Sequence, residues 1–193
     1  MGRRTILSAE RLTVTAWLPD DFGDLLALHS DPLEMRFIGY GRPDTDVEAR
    51  SRLDGYRDEQ QVRGWTKWRV ENREGEMIGR GGFGEVGGCR ELACAFRRDQ
   101  WGQGLATEIA GALVDWHLEH PAPELPSGGL CAHVEVGNHA SVRVLEKVRF
   151  EYVDTRVYVG VDCDLFRLGA AADLGPSLTV LSGCSSSAAP SYR

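Results

Sequence analysis

The segment "RRDQWGQGLATEIAGAL", residues 97–113, constrains the fold more than any other stretch of this chain. Two glycines, Gly102 and Gly104, stand between a strand-like stretch and a run of good helix formers that begins at Leu105. The first N–H groups of a helix have no carbonyl partners, and the helix dipole places positive potential at that end. Glycine also lacks the Cβ atom that would keep a phosphate oxygen away from these amides. The segment therefore predicts a strand–turn–helix unit that binds an anion from Gly102 to Ala106.

A second glycine-rich motif, "GRGGFG" at residues 79–84, matches the GxGxxG pattern of dinucleotide-binding proteins. That fingerprint has to open a helix whose N-terminus holds the pyrophosphate. Here Gly87 and Gly88 follow before a helix could start. We therefore interpret the motif as a bent or bulged strand in which glycine allows close approach. An NAD-binding oxidoreductase that uses this motif is the less favoured alternative.

Hydrophobic periodicity predicts the element order β, α, α, β, β, β, α, β, α, β, β. Strand signals lie at residues 10–18, 65–71, 76–86, 91–97, 129–136, 150–159 and 163–168. Helix signals lie at about residues 20–29, 45–64, 105–118 and 138–148. The second helix opens with the capping box Thr45-x-x-Glu48 and closes at Gly64. Its apolar residues are sparse, so we expect it to lie on the surface.

The chain has 193 residues, which suits one hydrophobic core. Residues 1–168 hold all the periodic segments and are predicted to form one domain. Residues 169–193 are rich in Ala, Ser, Gly and Pro and show no periodicity. We predict that this tail is mostly disordered.

The net charge of −7 and the pI near 5.3 argue against a nucleic-acid duplex as the main partner. A cationic or amine substrate fits this charge better. No apolar run approaches the 18 or more residues that a membrane span needs, so no membrane partner is expected.

The five cysteines form no CxxC pair, and no histidine cluster has the spacing of a zinc site, so we predict no metal. We expect reduced thiols and a cytoplasmic protein. The cysteines are Cys89, Cys94, Cys131, Cys163 and Cys184.

Two segments in this order, "AFRRDQWGQGLATEIAGALVDW" and "NHASVRVLEKVRF", resemble the core of the GNAT superfamily of N-acetyltransferases. The resemblance runs from about Glu10 to Leu168 and is greatest to the RimJ/RimL-like branch. It implies an α/β (α+β) GNAT fold: a mixed, mostly antiparallel sheet of six to seven strands flanked by four helices. The fourth and fifth strands of such a sheet splay apart, and acetyl-CoA, the co-substrate, enters the gap.

The resemblance also implies three groups of cofactor-binding residues. Backbone groups of Ala95, Phe96 and Arg97 would pair with the pantetheine like an added strand, while Arg98 would add charge. Asn138 would hydrogen-bond the pantetheine from the other side of the gap, with Ser141 beside it. The diphosphate would lie on the amides of Gly102, Gln103, Gly104, Leu105, Ala106 and Thr107.

Three positions depart from the pattern of the family. Asp99 stands where the family usually has Gln or Arg, which puts an acid near the expected diphosphate unless Arg97 or Arg98 offsets it. Val148-Arg149-Phe150 replaces the common Leu-Gly-Phe, so a turn usually made by glycine must be made otherwise. Leu145 occupies the place where many relatives carry a tyrosine acid.

An amine must lose a proton before it can attack a thioester, so a general base is required. His133, on the fifth strand of the resemblance, is the leading candidate because its ordinary pKa of about 6.5 suits neutral pH. Glu91 and Glu85 compete with it, and each of these side chains could instead be a solvated strand residue. Ser141 follows Asn138 by one helical turn and could hydrogen-bond the departing thiolate or satisfy a first-turn amide.

The sequence thus predicts an acyltransferase that moves acetyl from acetyl-CoA to a primary amine by direct attack in a ternary complex. A non-catalytic acyl-CoA sensor on the same fold is the alternative. Protein N-termini, polyamines, aminoglycosides and small amines all stay open as acceptors, and assembly as a homodimer stays open too.

Overall fold

The computed structural model describes residues 2–126, 129–158 and 160–169. They form one eight-stranded sheet with four α-helices, one strand more than the six to seven expected. The strands are β1 (Thr5–Ser8), β2 (Thr13–Thr15), β3 (Lys67–Glu71), β4 (Met77–Val86), β5 (Cys89–Phe96), β6 (Leu130–Glu135), β7 (Phe150–Tyr158) and β8 (Val161–Leu168). The helices are α1 (Phe22–Leu28), α2 (Asp46–Arg63), α3 (Leu105–Glu119) and α4 (His139–Lys147).

The sheet has the strand order β1-β2-β3-β4-β5-β6-β8-β7. All neighbours are antiparallel except β5 and β6, which run parallel because α3 connects them. The predicted fold class is confirmed: a mixed, mostly antiparallel sheet with four helices. Apart from Gly169, the predicted tail lies outside the described residues.

The extra strand comes from the N-terminus, where the sequence predicted a single strand over residues 10–18. The chain instead forms β1 and β2, joined by a turn in which the N–H of Ala9 donates to the carbonyl of Leu12 at 2.8 Å. Leu12 and Val14 are both buried, but so are Thr15 and Trp17, so the predicted alternation holds only at the start of the segment. The pattern could not show that the chain turns back on itself at residues 9–12.

Helix α2 begins and ends as predicted. The N–H of Glu48 donates to Thr45 Oγ1 at 3.3 Å, and Glu48 Oε2 accepts from the Thr45 N–H at 2.7 Å. Gly64 follows the helix in the left-handed conformation, with φ of +78°. The expectation of a surface helix holds for one side only, because Leu53 and Tyr56 are buried against the face of the sheet that α1 also covers.

The helices cover both faces of the sheet. On one face, Leu105, Ile109 and Leu113 of α3 pack with Leu145 of α4 in the main core. That core also holds Trp65, Trp68, Phe83 and Phe96, while Trp17 packs with α1 and α2 on the opposite face. In the described parts of the chain, no helix is both long enough and apolar enough to cross a membrane.

The "GRGGFG" motif lies wholly within β4, so its interpretation as a strand is confirmed. A Cβ atom at Gly79 would stand 2.4 Å from the carbonyl oxygen of Ala95. One at Gly82 would stand 2.1 Å from that of Thr66. The glycines therefore permit close packing of backbones rather than binding of a phosphate.

Arg149 makes the turn for which the family usually has glycine. Its φ of +68° is the one positive value among the described non-glycine residues. The carbonyl of Arg149 accepts from the N–H of Gly169 at 2.9 Å, which extends the β7–β8 pairing by one bond.

Two histidines are buried in contact with arginines. His29 Nδ1 lies 2.7 Å from Asp44 Oδ2, and its Nε2 accepts from Arg80 Nε at 3.2 Å. His117 Nδ1 lies 3.2 Å from Arg90 Nη1. Burial, together with these arginines, lowers the pKa of each histidine to about 4. Both side chains are therefore neutral in the folded state at neutral pH.

We predict that acidification from pH 7 to pH 5 destabilises the protein. The unfolded histidines, with a pKa near 6.5, take up protons in this window while the folded ones do not, which costs about 2 kcal/mol for each histidine. The measurement is the free energy of unfolding in urea at both pH values. His29→Gln and His117→Asn should each reduce the pH-dependent loss, even though both lower the stability at pH 7.

Asp21 and Asp44 have lowered pKa values in the folded protein. They affect the stability at lower pH than the histidines do, since unfolded aspartates titrate near 3.9. They should therefore contribute little above pH 5. If the histidine variants lose as much unfolding free energy between pH 7 and pH 5 as the parent protein does, these histidines are not the source of the loss.

Candidate active site

The sheet opens between β5 and β6. These strands are paired only at Arg90 with Leu130 and at Glu91 with Cys131. Beyond these pairs β5 continues to Phe96 and β6 to Glu135, and β6 pairs onward with β8 alone. The predicted splay of the two strands is therefore present, and its vertex lies at Glu91.

Arg90 anchors this vertex. Its N–H donates to the carbonyl of Gly129 at 3.2 Å, and its guanidinium donates to the carbonyl of His120 at the end of α3. The guanidinium is buried among the rings of Trp65, Phe83 and Trp116, between 5.2 and 5.6 Å from their centroids. Cation–π contacts thus hold the start of β5 against the end of α3.

The backbone of β5 offers alternate N–H groups to the gap. The N–H of Arg97 donates to the carbonyl of Ile78 in β4 at 2.9 Å, whereas the N–H of Arg90 points to β6. Because antiparallel pairing alternates the direction of successive residues, the N–H groups of Cys94 and Phe96 also face the gap. Ala95 and Arg97 share the opposite orientation, so only Phe96 of the three predicted pantetheine residues presents its N–H there.

The carbonyl of Phe96 is already engaged. It accepts from the indole N–H of Trp101 at 2.8 Å, and this side chain is about half exposed at 51%. Trp101 therefore ties the end of β5 to the turn that follows it.

That turn has the geometry expected of an anion site. Gly102 and Gly104 both adopt left-handed conformations, with φ of +75° and +80°. Gly104 is the N-cap of α3 and provides no side-chain cap. The first helical bond runs from the Glu108 N–H to the carbonyl of Gly104 at 3.1 Å, so the N–H groups of Leu105, Ala106 and Thr107 lack intrahelical partners.

Arg11 braces the turn from a distant part of the sequence. Its Nη1 donates to the carbonyl of Gln103 at 3.0 Å, and its Nε donates to Glu108 Oε2 at 2.7 Å. The backbone N–H of Arg11 also donates to Glu108 Oε1 at 2.6 Å. On the other side of the turn, Gln103 Nε2 donates to the carbonyl of Asp99 at 3.1 Å.

The acid at position 99 is neutralised locally, which answers the question that the sequence raised. Arg97 Nη2 donates to Asp99 Oδ2 at 2.6 Å, and this contact raises the pKa of the Arg97 guanidinium. Arg98 is oriented by the loop between α1 and α2, because its N–H donates to Glu34 Oε1 at 2.6 Å. Burial raises the pKa of the Glu34 carboxyl.

Asn138 and Ser141 lie together at the start of α4. The side-chain oxygen of Asn138 accepts from the N–H of Ser141 at 3.2 Å, so Asn138 caps the helix. The backbone N–H of Ser141 is thus satisfied by Asn138, and the two roles considered for the Ser141 hydroxyl stay predictions. The amide NH2 of Asn138 is not used by this cap.

The two leading base candidates form a pair. His133 Nδ1 lies 2.9 Å from Glu91 Oε1, and their side chains are only 7% and 14% exposed. Along β5 and β6, Glu91 and His133 alternate with residues of the main core, which lies on the α3 side of the sheet. The side chains of Glu91 and His133 therefore project from the opposite face of the sheet. The ring of His133 stacks on Tyr158 at 4.3 Å between centroids. The pair bridges β5 and β6 at the vertex of the splay.

Glu85, the third candidate, is placed differently. It forms an ion pair with Arg63 at 2.5 Å, and both side chains are 37% exposed. A Cβ atom at Gly84 would lie 3.5 Å from Glu91 Oε2 and 3.2 Å from Lys67 Nζ. Lys67, which the sequence did not single out, thus lies beside Gly84, as does the second oxygen of Glu91.

The cysteines near the gap are protonated. Burial raises the pKa of the Cys94 thiol to about 12. The Cys131 thiol also has a raised pKa, through its hydrogen bond with Cys89 and through burial. Among residues 2–126, 129–158 and 160–169, no three His, Cys, Asp or Glu side chains are grouped as a metal site requires.

Sequence reasoning missed Arg11, Glu108 and Lys67. Arg11 and Glu108 are 97 positions apart, and no local pattern links them. It also missed Tyr158, which reaches His133 only because β7 and β8 form a hairpin beside β6.

Residues 11–151 match the family model of the acetyltransferase (GNAT) domain. This chain belongs to the GNAT acetyltransferase family. It is 30% identical over 128 residues to YkkB of Bacillus subtilis (strain 168), an alignment that covers 57% of this chain and 72% of YkkB.

Solved structures of GNAT acetyltransferases share the fold. An acetyltransferase from Agrobacterium tumefaciens str. C58 superposes with a TM-score of 0.72 at 24% identity, covering 88% of this chain and 96% of that one. RimL, a ribosomal L7/L12 α-N-protein acetyltransferase solved with coenzyme A, gives a TM-score of 0.71 at 17% identity over 88% of this chain and 100% of RimL. The fold is therefore consistent with the RimJ/RimL-like branch of the family.

Proposed function

We propose that this GNAT enzyme transfers acetyl from acetyl-CoA to a primary amine by direct attack in a ternary complex. The observation that carries the proposal is the Glu91–His133 pair at the vertex of two splayed strands. A carboxylate-oriented imidazole next to an open strand edge is a suitable arrangement for removing a proton from a bound amine.

Acetyl-CoA is the co-substrate and supplies the acetyl thioester. The residues present fit it, because the N-terminus of α3 has unpaired N–H groups and no side-chain cap. We assign the diphosphate to the amides from Gly102 to Thr107, with Arg98 adding positive charge. The N–H groups of Cys94 and Phe96 and the side-chain amide of Asn138 would hold the pantetheine, with Ala95 and Arg97 completing the strand. Cys94 is the residue that the structure adds to this set.

His133 acts as the general base in this proposal. With Nδ1 donating to Glu91 Oε1 at 2.9 Å, its Nε2 carries the lone pair that accepts the proton of the amine. Glu91 fixes this tautomer and stabilises the imidazolium once it has formed. The two candidates that competed in the sequence thus have complementary roles.

Backbone and side-chain donors complete the chemistry. An N–H of β5 at Cys94 or Phe96 would donate to the carbonyl oxygen as negative charge develops there, which is worth about 3 kcal/mol when well placed. We assign Ser141 to hydrogen-bond the departing thiolate, which needs little acid because a thiol of pKa about 8.5 is a good leaving group. Leu145 is buried and is not an acid.

An acyl-enzyme route through cysteine is disfavoured. The reactive form of cysteine is the thiolate, and the raised pKa values of Cys94 and Cys131 keep both protonated at neutral pH. Direct attack by the amine needs no such nucleophile.

The acceptor belongs to the class of primary amines. RimL acts on a protein N-terminus, and this likeness of fold supports testing peptides beside polyamines, aminoglycosides and small amines. The cytoplasmic location stays a prediction.

We predict that His133→Gln lowers kcat by about 100-fold with the best acceptor, because an intramolecular base contributes 10²–10⁴-fold. Glu91→Gln should lower kcat less, and the double variant should lose little beyond His133→Gln because the two side chains act as a unit. The measurement is release of free thiol from acetyl-CoA against the panel of amines. His120→Gln, at the end of α3, is the matched control and should keep the parent rate.

Full activity of His133→Gln and Glu91→Gln at every pH would refute the base assignment. If the parent protein binds coenzyme A but releases no thiol with any amine, the chain is an acyl-CoA sensor instead.

The double variant Gly102→Ala/Gly104→Ala should raise the Kd for coenzyme A by about tenfold or more, since added Cβ atoms crowd the amides that face the diphosphate. Calorimetric titration with coenzyme A measures this change. Gly64→Ala is the matched control, because Gly64 has a similar φ of +78° and, like Gly102, has no atom within 4 Å of an added Cβ. Equal affinity of the variant and the control would show that the diphosphate lies elsewhere.

A further inference from the structure

Strand β7 forms one edge of the sheet, and its surface is unusually apolar for an edge. Among the described residues, β8 is its only strand neighbour. Tyr152, Val153 and Val157 are 57%, 46% and 72% exposed. The strand "FEYVDTRVY" contains neither proline nor lysine, the residues that commonly guard such edges against pairing.

The direction of the backbone groups along this edge follows from the pairing of β8 with β6 and β7. The N–H of Val136 donates to the carbonyl of Asp162, so the even-numbered residues of β8 bond to β6 and the odd-numbered ones to β7. Asp154 pairs with Leu165, and Arg156 pairs with Cys163. The backbone N–H and C=O groups of Asp154 and Arg156 therefore point toward β8. The N–H and C=O groups of Thr155 and Val157 point outward.

We propose that a second copy of this chain docks on the outer edge of β7, antiparallel to it, about a two-fold axis through Thr155. The β-bulge at Val153 limits the flat part of the edge, so residues 153–157 pair with residues 157–153 of the other copy. This proposal does not depend on the proposed function.

The side chains of this segment are complementary to themselves in that register. A two-fold axis through Thr155 places Asp154 of each copy opposite Arg156 of the other and Val153 opposite Val157. Asp154 and Arg156 project from the same face of the sheet, since their β8 partners are two residues apart. Opposite charges directly across a strand pair stabilise it, and an isologous interface repeats each such contact.

The dimer would also support the active site. Tyr158, which stacks on His133, ends the same strand. Pairing along β7 would restrain the β7–β8 hairpin that carries this ring.

A five-residue strand pair buries less surface than the 1,200–2,000 Å² of a standard interface, so we expect a reversible dimer with a Kd on the order of micromolar. The test is the solution mass of the full chain by sedimentation equilibrium from about 1 to about 200 µM. The parent should move from 21.3 kDa toward twice that mass as its concentration rises. A monomer at all concentrations would overturn the proposal.

Two variants with matched controls test the register. Val157→Lys should raise the dimer Kd by tenfold or more, whereas Val62→Lys, at an equally exposed valine on α2 (83%), should not change it. Arg156→Asp places like charges opposite each other and should weaken the dimer, and the swap Asp154→Arg/Arg156→Asp should restore it. Arg57→Asp, in the exposed Asp54–Arg57 pair of α2, makes the same charge change away from the edge.

A general effect of net charge would weaken the dimer in Arg57→Asp as well, so a loss in Arg156→Asp that is absent from Arg57→Asp and is reversed by the swap is the outcome that supports the register. A dimer that survives both Val157→Lys and Arg156→Asp uses another surface, and the proposal would then be wrong.

Discussion

The structure depends on the early end of pairing between β5 and β6. Two parallel strands that stayed paired would satisfy each other's backbone groups and leave nothing for a ligand. Here the pairing ends at Glu91 and Cys131, so the N–H groups of Cys94 and Phe96 face a gap. The same strand then leads into the uncapped N-terminus of α3. One local opening thus leaves both an unpaired strand edge and, at its end, a helix N-terminus without a side-chain cap, the two features on which the proposed binding of acetyl-CoA rests.

The opening is held by charge as well as by packing. Arg90 fixes the vertex from the side of α3, within a box of aromatic rings, and the Glu91–His133 pair crosses it from the other face. The buried histidines elsewhere, His29 and His117, are kept neutral by burial next to arginines. His133 instead faces the carboxylate of Glu91 at 2.9 Å.

Much of the candidate site could be predicted because its parts are local in sequence. The turn at Gly102 and Gly104, the capping role of Asn138 and the strand nature of "GRGGFG" each follow from a few neighbouring residues. The sequence also showed that the turn at Arg149 had to be made without the usual glycine, but it did not show that Arg149 itself takes the left-handed conformation. The prediction of a single strand over residues 10–18 was wrong, because alternation in this segment gives no sign of β1 or of the turn at residues 9–12 that joins β1 to β2.

The sequence by itself determined the family, the glycine turn before α3 and three separate candidates for the base, His133, Glu91 and Glu85. Only the tertiary structure decided that Glu91 and His133 are partners, that Arg11 braces the turn through Glu108, and that Ala95 and Arg97 direct their N–H groups away from the gap. The physical reason is that propensity, capping and periodicity act over a few residues. Contacts across a sheet and the direction of each backbone group depend on register, and register is fixed only when the strands pack together.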